Sequence, residues 1–159
     1  MSTEAVGISG FAVYLPPHRV DLRQWCRWTG SSWDKVGAVV GTGFRMAGPG
    51  QNVYSMAATS ALRLMDQYDV DPGRVRFLAL GTESSTDNSA GAVIVRGMLD
   101  AAMQERGVTG LSRQCEVPEF KHACLGGVYA MKSALRFLAT EPGDAVAIVI
   151  SADVAKYEL

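Results

Sequence analysis

Runs of apolar residues alternate along this chain with stretches in which apolar residues recur every three or four positions. The apolar runs cover residues 6–14, 75–80, 115–120 and 145–151. Runs of this length, bounded by turn residues, are typical of buried strands. The periodic stretches cover residues 52–68, 90–106 and 125–141, and they predict amphipathic helices. Helices placed between strands predict βαβ units, so we expect an α/β fold with a mostly parallel sheet.

The same spacing predicts which faces of these helices are buried. In the helix over residues 90–106, the apolar set comprises Val93, Ile94, Gly97, Met98, Ala101 and Ala102. The helix that follows Cys124 is apolar for most of its circumference, which indicates a helix buried inside the fold. Nearer the N-terminus, Asp21 is expected to cap a short helix in which Trp25 and Trp28 share a buried face.

Residues 37–50 are rich in glycine and are expected to form a long loop near a pocket. The segment Gly41-Thr42-Gly43 within it lacks the lysine of a phosphate-binding loop and the spacing of a dinucleotide-binding turn. It therefore does not indicate a nucleotide site.

Composition excludes several classes of function. The chain has 159 residues, of which 48% are hydrophobic and 19% charged, enough to bury the core of one domain. A net charge of -1 gives no electrostatic footprint for nucleic acid or for an anionic membrane. The N-terminus has no basic region, so we expect no signal peptide. Cysteines in odd number and at irregular spacing lead us to expect free thiols in the cytoplasm, and they form no metal-binding pattern with the histidines.

Cys124 lies between the strand over 115–120 and a helix whose first turn carries Gly126 and Gly127. The positive end of a helix dipole favours a thiolate over a thiol. Glycine lets substrate and neighbouring backbone approach closely. Cys124 is therefore a candidate nucleophile that accepts an acyl group, although a free cysteine at such a corner can equally be a small packing residue.

Glu83 follows the strand over 75–80, in the segment Gly81-Thr82-Glu83-Ser84-Ser85-Thr86-Asp87-Asn88-Ser89. Ligands of open parallel sheets bind beyond the carboxyl ends of the strands. Glu83 is therefore a candidate for acid–base chemistry. The alternatives are a solvated loop carboxylate and a cap for the next helix.

Four stretches make the chain resemble the 3-hydroxy-3-methylglutaryl-CoA (HMG-CoA) synthases of the thiolase superfamily. In chain order they are Val6-Gly7-Ile8-Ser9-Gly10 with Tyr14-Leu15-Pro16, Gly81-Thr82-Glu83-Ser84 with Asp87-Asn88-Ser89, Phe120-Lys121-His122-Ala123-Cys124-Leu125-Gly126-Gly127, and Ala152-Asp153-Val154-Ala155 with Tyr157. The cysteine stretch is shared in outline with other thiolase-like condensing enzymes. The Thr-Glu pair with its following Asp and Ser is more specific to this family.

The resemblance implies a thiolase-like fold, with residues 1–159 as its N-terminal, first βαβαβα(β) half. It also implies a transferase that condenses acetyl-CoA with acetoacetyl-CoA in the mevalonate pathway of isoprenoid biosynthesis. No cofactor or metal beyond these substrates is implied.

The same resemblance assigns roles to individual residues. Cys124 would be the acyl-accepting nucleophile and Glu83 the general base for the acetyl methyl proton. Asp87 and Asp153 match acidic positions that support the family's site, or they cap helices and bond within loops. Arg45, Gly126 and Gly127 are weaker candidates for substrate contacts.

The family's chain is much longer than this one, and its catalytic histidine lies in the part that has no counterpart here. His18 and His122 do not match that histidine. We therefore expect the fold to be incomplete without a partner chain, a second polypeptide that supplies the C-terminal half and the histidine. Pairs of this kind are expected to dimerise through the strand over 115–120.

Three other functions stay open. The chain could belong to a ketoacyl-ACP synthase type of condensing enzyme, to a synthase that acts on carrier-protein thioesters, or to a non-catalytic assembly subunit that keeps the cysteine for packing. The first two are condensing enzymes, and the last is not an enzyme.

Overall fold

A computed structural model describes residues 6–141 and 143–155. These residues form two compact units, one from residues 6–14 and 53–153 and the other from residues 15–52 with 154 and 155.

The smaller unit combines a two-stranded antiparallel sheet with two short helices. Its elements are β1 (His18–Asp21), α1 (Leu22–Thr29), α2 (Trp33–Val40) and β2 (Gly43–Met46). β1 pairs with β2, with His18 opposite Met46 and Asp21 opposite Gly43. Asp21 caps α1 as predicted, because its Oδ1 accepts a hydrogen bond from the backbone N–H of Gln24 at 2.9 Å.

Two predictions for this unit are wrong. The buried residues of α1 are Leu22 and Cys26, whereas the Trp28 side chain is 74% exposed, so the two tryptophans share no buried face. The glycine-rich residues 37–50 do not form a long loop, because they contain the end of α2 and all of β2. The high glycine content predicted a loop. The structure differs because β2 pairs with β1 and because α2, whose N-cap is Ser32, extends to Val40.

The larger unit is a three-layered α/β/α structure. Its elements are α3 (Val53–Gln67), β3 (Val75–Gly81), α4 (Gly91–Glu105), β4 (Glu119–Phe120), α5 (Gly126–Thr140) and β5 (Val146–Ser151), with a 3-10 turn at Pro72–Arg74. The strands form a parallel sheet in the order β4-β3-β5. The predicted helices and strands of this unit are confirmed, except that β4 is shorter and no strand includes residues 6–14.

Successive side chains of β3 serve opposite faces of the sheet. Leu78 and Leu80 join the core that α3 and α4 build with β5. Phe77 and Ala79 face α5 and pack with Ala130 and Ala134. β3 is therefore covered on both faces, which explains its continuous apolar sequence.

Three predictions of burial in this unit are wrong. Residues 6–14 are extended and mostly exposed, and Ile8 and Phe11 each expose 73% of their surface. α4 buries a different face from the predicted one, namely Ala92, Val95, Leu99 and Met103. α5 is not buried on all sides, because only Gly126, Ala130 and Ala134 are covered. In each case an apolar residue lacks a neighbouring surface to pack against within the described chain.

Candidate functional site

Cys124 lies on a tight turn between β4 and α5. The backbone N–H of Leu125 donates to the carbonyl of His122 at 3.0 Å, and that of Gly126 donates to Ala123 at 3.2 Å. Ala123 has a φ of 44°, in the left-handed region that costs a residue with a side chain roughly 1–2 kcal/mol. The Cys124 residue is exposed. Backbone strain beside an exposed thiol fits a reactive residue better than a packing residue.

Three glycines allow the start of α5 to touch the ends of three strands, β3, β4 and β5. A Cβ on Gly81 would lie 2.3 Å from the Gly127 nitrogen, and a Cβ on Gly126 would lie 2.7 Å from the Phe120 carbonyl oxygen. A Cβ on Gly127 would meet the Ser151 Oγ at 2.9 Å. Gly126 and Gly127, predicted as weak substrate contacts, thus have a packing role that places Cys124 at the carboxyl end of the sheet.

Glu83 follows β3 at the same end of the sheet. The backbone N–H of Thr82 donates to the carbonyl of Phe120 at 3.2 Å, which joins the Glu83 segment to the segment that leads to Cys124. Glu83 is exposed, and no described residue donates a hydrogen bond to its carboxylate. This carboxylate is therefore open to substrate.

Asp153 fixes the segment that carries Glu83. Its Oδ1 accepts hydrogen bonds from the backbone N–H groups of Glu83 at 2.7 Å and Ser84 at 3.1 Å. It also accepts from the hydroxyls of Thr82 at 3.1 Å and Ser84 at 2.9 Å. Hydrogen bonds to an ionised carboxylate are stronger than hydrogen bonds between two neutral groups, so Asp153 holds the Glu83 segment firmly. The sequence allowed two interpretations of Asp153, as a support for the site or as a residue that caps a helix or bonds within a loop. Its contacts anchor the Glu83 segment and so agree with the first interpretation.

Asp87 is bonded to a side chain of α3. The Tyr54 hydroxyl donates to Asp87 Oδ2 and accepts from the backbone N–H of Thr86 at 3.2 Å. Sequence reasoning did not identify Tyr54. It occupies a partly buried position in the first turn of α3, and an amphipathic side chain in such a position was the available signal.

Arg45 and His122 make local contacts of their own. Arg45 belongs to the smaller unit, where Nη1 donates to the carbonyls of Pro16 at 3.4 Å and Pro17 at 3.2 Å. His122 packs its ring on Tyr129, with centroids 4.7 Å apart.

The described residues lack two further kinds of feature. Within residues 6–141 and 143–155, no group of His, Cys, Asp and Glu side chains is arranged to hold a metal ion. None of the described helices combines the length and apolar character that crossing a bilayer requires.

The larger unit is an α/β protein whose parallel sheet has an exposed cysteine and a carboxylate beyond its carboxyl ends, and its similarity to a solved HMG synthase identifies the fold as thiolase-like. The solved structure of MvaS in complex with 3-hydroxy-3-methylglutaryl coenzyme A matches 96% of this chain and 35% of its own, with a TM-score of 0.80 and 32% identity. The HMG synthase of the curacin pathway, solved in complex with holo donor-ACP, shares the fold at 22% identity and a TM-score of 0.74, over 93% of this chain and 34% of its own.

The chain belongs to the hydroxymethylglutaryl-coenzyme A synthase family, because the family's N-terminal sequence model matches residues 2–159. Hydroxymethylglutaryl-CoA synthase A of Dictyostelium discoideum is 30% identical over 157 residues, which are 98% of this chain and 31% of that protein. The chain thus spans about a third of the length of the curated relatives it matches. The sequence-based recognition of the family and of its N-terminal portion is confirmed.

Proposed function

We propose that this chain supplies the nucleophile and the base of an HMG-CoA synthase reaction. The observation that supports this most is the common location of Cys124 and Glu83. Both are exposed, and both follow strands whose ends are joined by the bond between Thr82 and Phe120. Membership of the condensing-enzyme family supports the same reaction class.

In the proposed reaction the Cys124 thiolate attacks the carbonyl carbon of acetyl-CoA, and the CoA thiolate leaves and takes up a proton. The backbone N–H of Cys124 stabilises the oxyanion of the tetrahedral intermediate. Glu83 then removes a proton from the methyl group of the acetyl-cysteine. The resulting carbanion attacks the ketone of acetoacetyl-CoA, and an acid protonates the new alkoxide. Water finally hydrolyses the thioester and releases Cys124.

The acid in that step belongs to a second polypeptide in our proposal. Neither His18 nor His122 matches the family's catalytic histidine in sequence, and the His122 ring packs on Tyr129. The second chain would carry the C-terminal portion of the family, which corresponds to the two thirds of the relatives that this chain does not cover. The assembly would act in the cytoplasm, in isoprenoid synthesis.

The exposed face of α5 supports a partner of this kind. Val128 exposes 59% of its surface, Met131 42% and Leu135 37%, and the three lie on one side of the helix. Among the described residues, β5 is paired on one edge only, with β3. An apolar helix face beside an open sheet edge costs free energy in water, so a chain that covers both would be stabilised on binding. The partner is therefore expected to present an apolar helix and a strand.

Covalent trapping tests the roles of the two catalytic residues. Incubation with acetyl-CoA should add about 42 Da to Cys124, and Cys124→Ala should abolish the adduct. Glu83→Ala should keep the adduct and lose condensation with acetoacetyl-CoA. Asp34→Ala, on exposed α2, is a matched control that removes a carboxylate elsewhere and should change neither step. A wild-type chain that forms no adduct in its assembled state would favour the non-catalytic subunit.

Purification of the tagged chain from its own cells tests the partner. The proposal requires a co-purifying chain that matches the C-terminal portion of the family and restores turnover. Met131→Glu should prevent the association, because it places a charge on the apolar face of α5. Val93→Glu is the control, since Val93 is 57% exposed on α4. A single active 17.0 kDa species would contradict the proposal.

The acceptor thioester separates the two remaining condensing reactions. The curacin synthase was solved with a carrier protein, and a synthase acting on carrier-bound acetoacetate is the second candidate. Steady-state rates with acetoacetyl-CoA and with an acetoacetyl carrier protein would decide between them.

A further inference from the structure

The loop over residues 82–90 carries the proposed base and is anchored from three sides. Asp153 accepts hydrogen bonds from the start of the loop. Tyr54 of α3 bonds to Thr86 and Asp87 farther along it. Between these anchors, the Lys121 ammonium donates a hydrogen bond to the backbone carbonyl of Ser85. Lys121 differs from the other two anchors because it belongs to the turn that carries Cys124.

The carbonyl that Lys121 reaches lies at a buried residue. Ser85 is 3% exposed, and a buried carbonyl without a donor costs roughly 1–3 kcal/mol. Lys121 forms no ion pair with any carboxylate in the described part of the chain, so this bond accounts for the placement of its ammonium group. A lysine that binds a neutral carbonyl contributes a directed link between two segments rather than a charge pair.

The bond from Lys121 to Ser85 connects the segment of the proposed base with the segment of the proposed nucleophile. Ser85 lies two residues after Glu83, and Lys121 lies three residues before Cys124. The other bond named above between these segments, from the Thr82 N–H to the Phe120 carbonyl, holds the first residue of the loop and not the part that follows Glu83. Proton abstraction from an acetyl group on Cys124 depends on the distance between that group and the Glu83 carboxylate, and a misplacement of about 1 Å can cost about 10²-fold in rate.

We propose that Lys121 is a positioning residue that sets the Glu83 loop against the Cys124 turn, through its bond to the carbonyl of Ser85. This inference rests on the proposed function for its catalytic consequence. The link itself is a property of this chain's own residues. Lys121 acts on the proton-transfer step through Glu83 and does not touch the acyl group.

Two substitutions separate the bond from the bulk of the side chain. Lys121→Met keeps an apolar stem of similar length but removes the donor. Lys121→Arg keeps a donor. Lys35→Met, at an exposed position of α2, controls for the loss of one lysine charge. Each variant is measured in the assembled preparation that turns over acetyl-CoA and acetoacetyl-CoA, with acetylation of Cys124 and condensation followed separately.

Lys121→Met should acetylate Cys124 within about threefold of wild type but condense about 10²-fold more slowly. Lys121→Arg should recover most of that loss, and Lys35→Met should match wild type in both steps. A purely structural role would lower both steps together with the melting temperature, and that outcome would overturn the proposal. Equal rates in Lys121→Met and wild type would overturn it as well.

Amide hydrogen exchange gives a readout that does not depend on catalysis. Removing the donor should raise the exchange of residues 84–87 by roughly tenfold, because local opening of the loop becomes easier. Unchanged exchange in Lys121→Met refutes the link even if the chain never forms an acetyl-cysteine. Raised exchange together with the absence of any wild-type adduct retains the link and refutes the proposed function instead.

Discussion

The close approach of α5 to the sheet gives a quantitative test of how Cys124 is positioned. A Cβ at residue 81 would lie 2.3 Å from the Gly127 nitrogen and 2.4 Å from the Gly126 carbonyl carbon. Non-bonded carbon atoms rest at about 3.5–4.0 Å, so α5 would have to move by more than about 1 Å. Both atoms are backbone, so no side-chain rotation relieves the clash. We expect Gly81→Ala to lower the free energy of unfolding by about 3 kcal/mol, the upper end of the usual cost of overpacking.

The other two glycines should follow in a defined order. A Cβ on Gly126 would meet the Phe120 carbonyl oxygen at 2.7 Å, which is again backbone, so Gly126→Ala should cost about 2 kcal/mol. A Cβ on Gly127 would meet Ser151 Oγ at 2.9 Å and Ser151 Cβ at 3.0 Å. A new serine rotamer removes the first contact, and a small shift of the backbone must relieve the second. Gly127→Ala should therefore cost about 1 kcal/mol or less.

Gly97 provides the matched control. It lies inside α4, and a Cβ there would have no atom within 4 Å. Gly97→Ala should therefore stabilise the chain by about 0.5–1 kcal/mol through helix propensity alone. Urea unfolding followed by far-UV circular dichroism, with linear extrapolation, measures all four values. A Gly81→Ala variant within about 1 kcal/mol of wild type, or a reversed order of the three, would refute the proposed packing of α5.

Four further predictions concern the site, the buried Cys115 and the sheet edge. Asp153→Asn should lower the condensation rate by about 10-fold or more, since the carboxylate that holds the Glu83 segment becomes neutral, and kcat rather than the acetylation rate should change. Burial raises the pKa of the Cys115 thiol to about 11, so iodoacetamide at pH 8 should label Cys124 and spare Cys115 until the chain unfolds, as peptide mass mapping can show. Because the folded pKa is above the unfolded one, the stability contributed by Cys115 is full below pH 9 and is lost as the pH rises towards 11, which urea unfolding at stepped pH will detect. If chains pair through the strand over residues 115–120, Val117→Pro should reduce the oligomer mass in analytical ultracentrifugation. Glu116→Pro is not a suitable test of this pairing, because the Glu116 N–H donates to the Arg76 carbonyl within the chain.

Local patterning predicted the elements of the larger unit because their periods are unambiguous. Residues 75–80 are an uninterrupted apolar run, and β3 is buried on both faces. The recurrence of apolar residues every three or four positions over residues 52–68 predicted α3, whose buried residues are Val53, Ala57, Ala58, Ala61 and Met65. These signals depend on neighbours in sequence, so the chain alone contains them.

The face of α4 was not predictable in the same way. The predicted set included Val93, which is 57% exposed, while Val95 and Leu99 are fully buried. When a helix has apolar residues on most sides, the spacing predicts the helix but not which side is buried. Its buried face is selected by α3 and the sheet, whose surfaces are not encoded near residues 91–105.

Residues 6–14 show the same limit for strands. Their apolar sequence predicted a buried strand, but a strand needs a neighbour to share its backbone hydrogen bonds. In the described chain the segment instead contacts α3 and its end, where the Ala12 carbonyl accepts from Ser60 at 3.4 Å and the Phe11 N–H donates to the Tyr68 hydroxyl at 3.3 Å. Residues 6–14 thus have the apolar composition of a strand, but none of the described strands pairs with them.

The sequence by itself determined the chemistry that this protein can offer, namely a cysteine before a glycine-rich helix start and a glutamate after a buried strand. It also determined the family, through motifs that retain their order along the chain. Only the tertiary structure decided how Cys124 and Glu83 are held. Asp153 reaches Glu83 across 70 positions of sequence, and Lys121 reaches Ser85 across 36. Contacts at such separations depend on how the strands are ordered in the sheet, and no local pattern specifies that order.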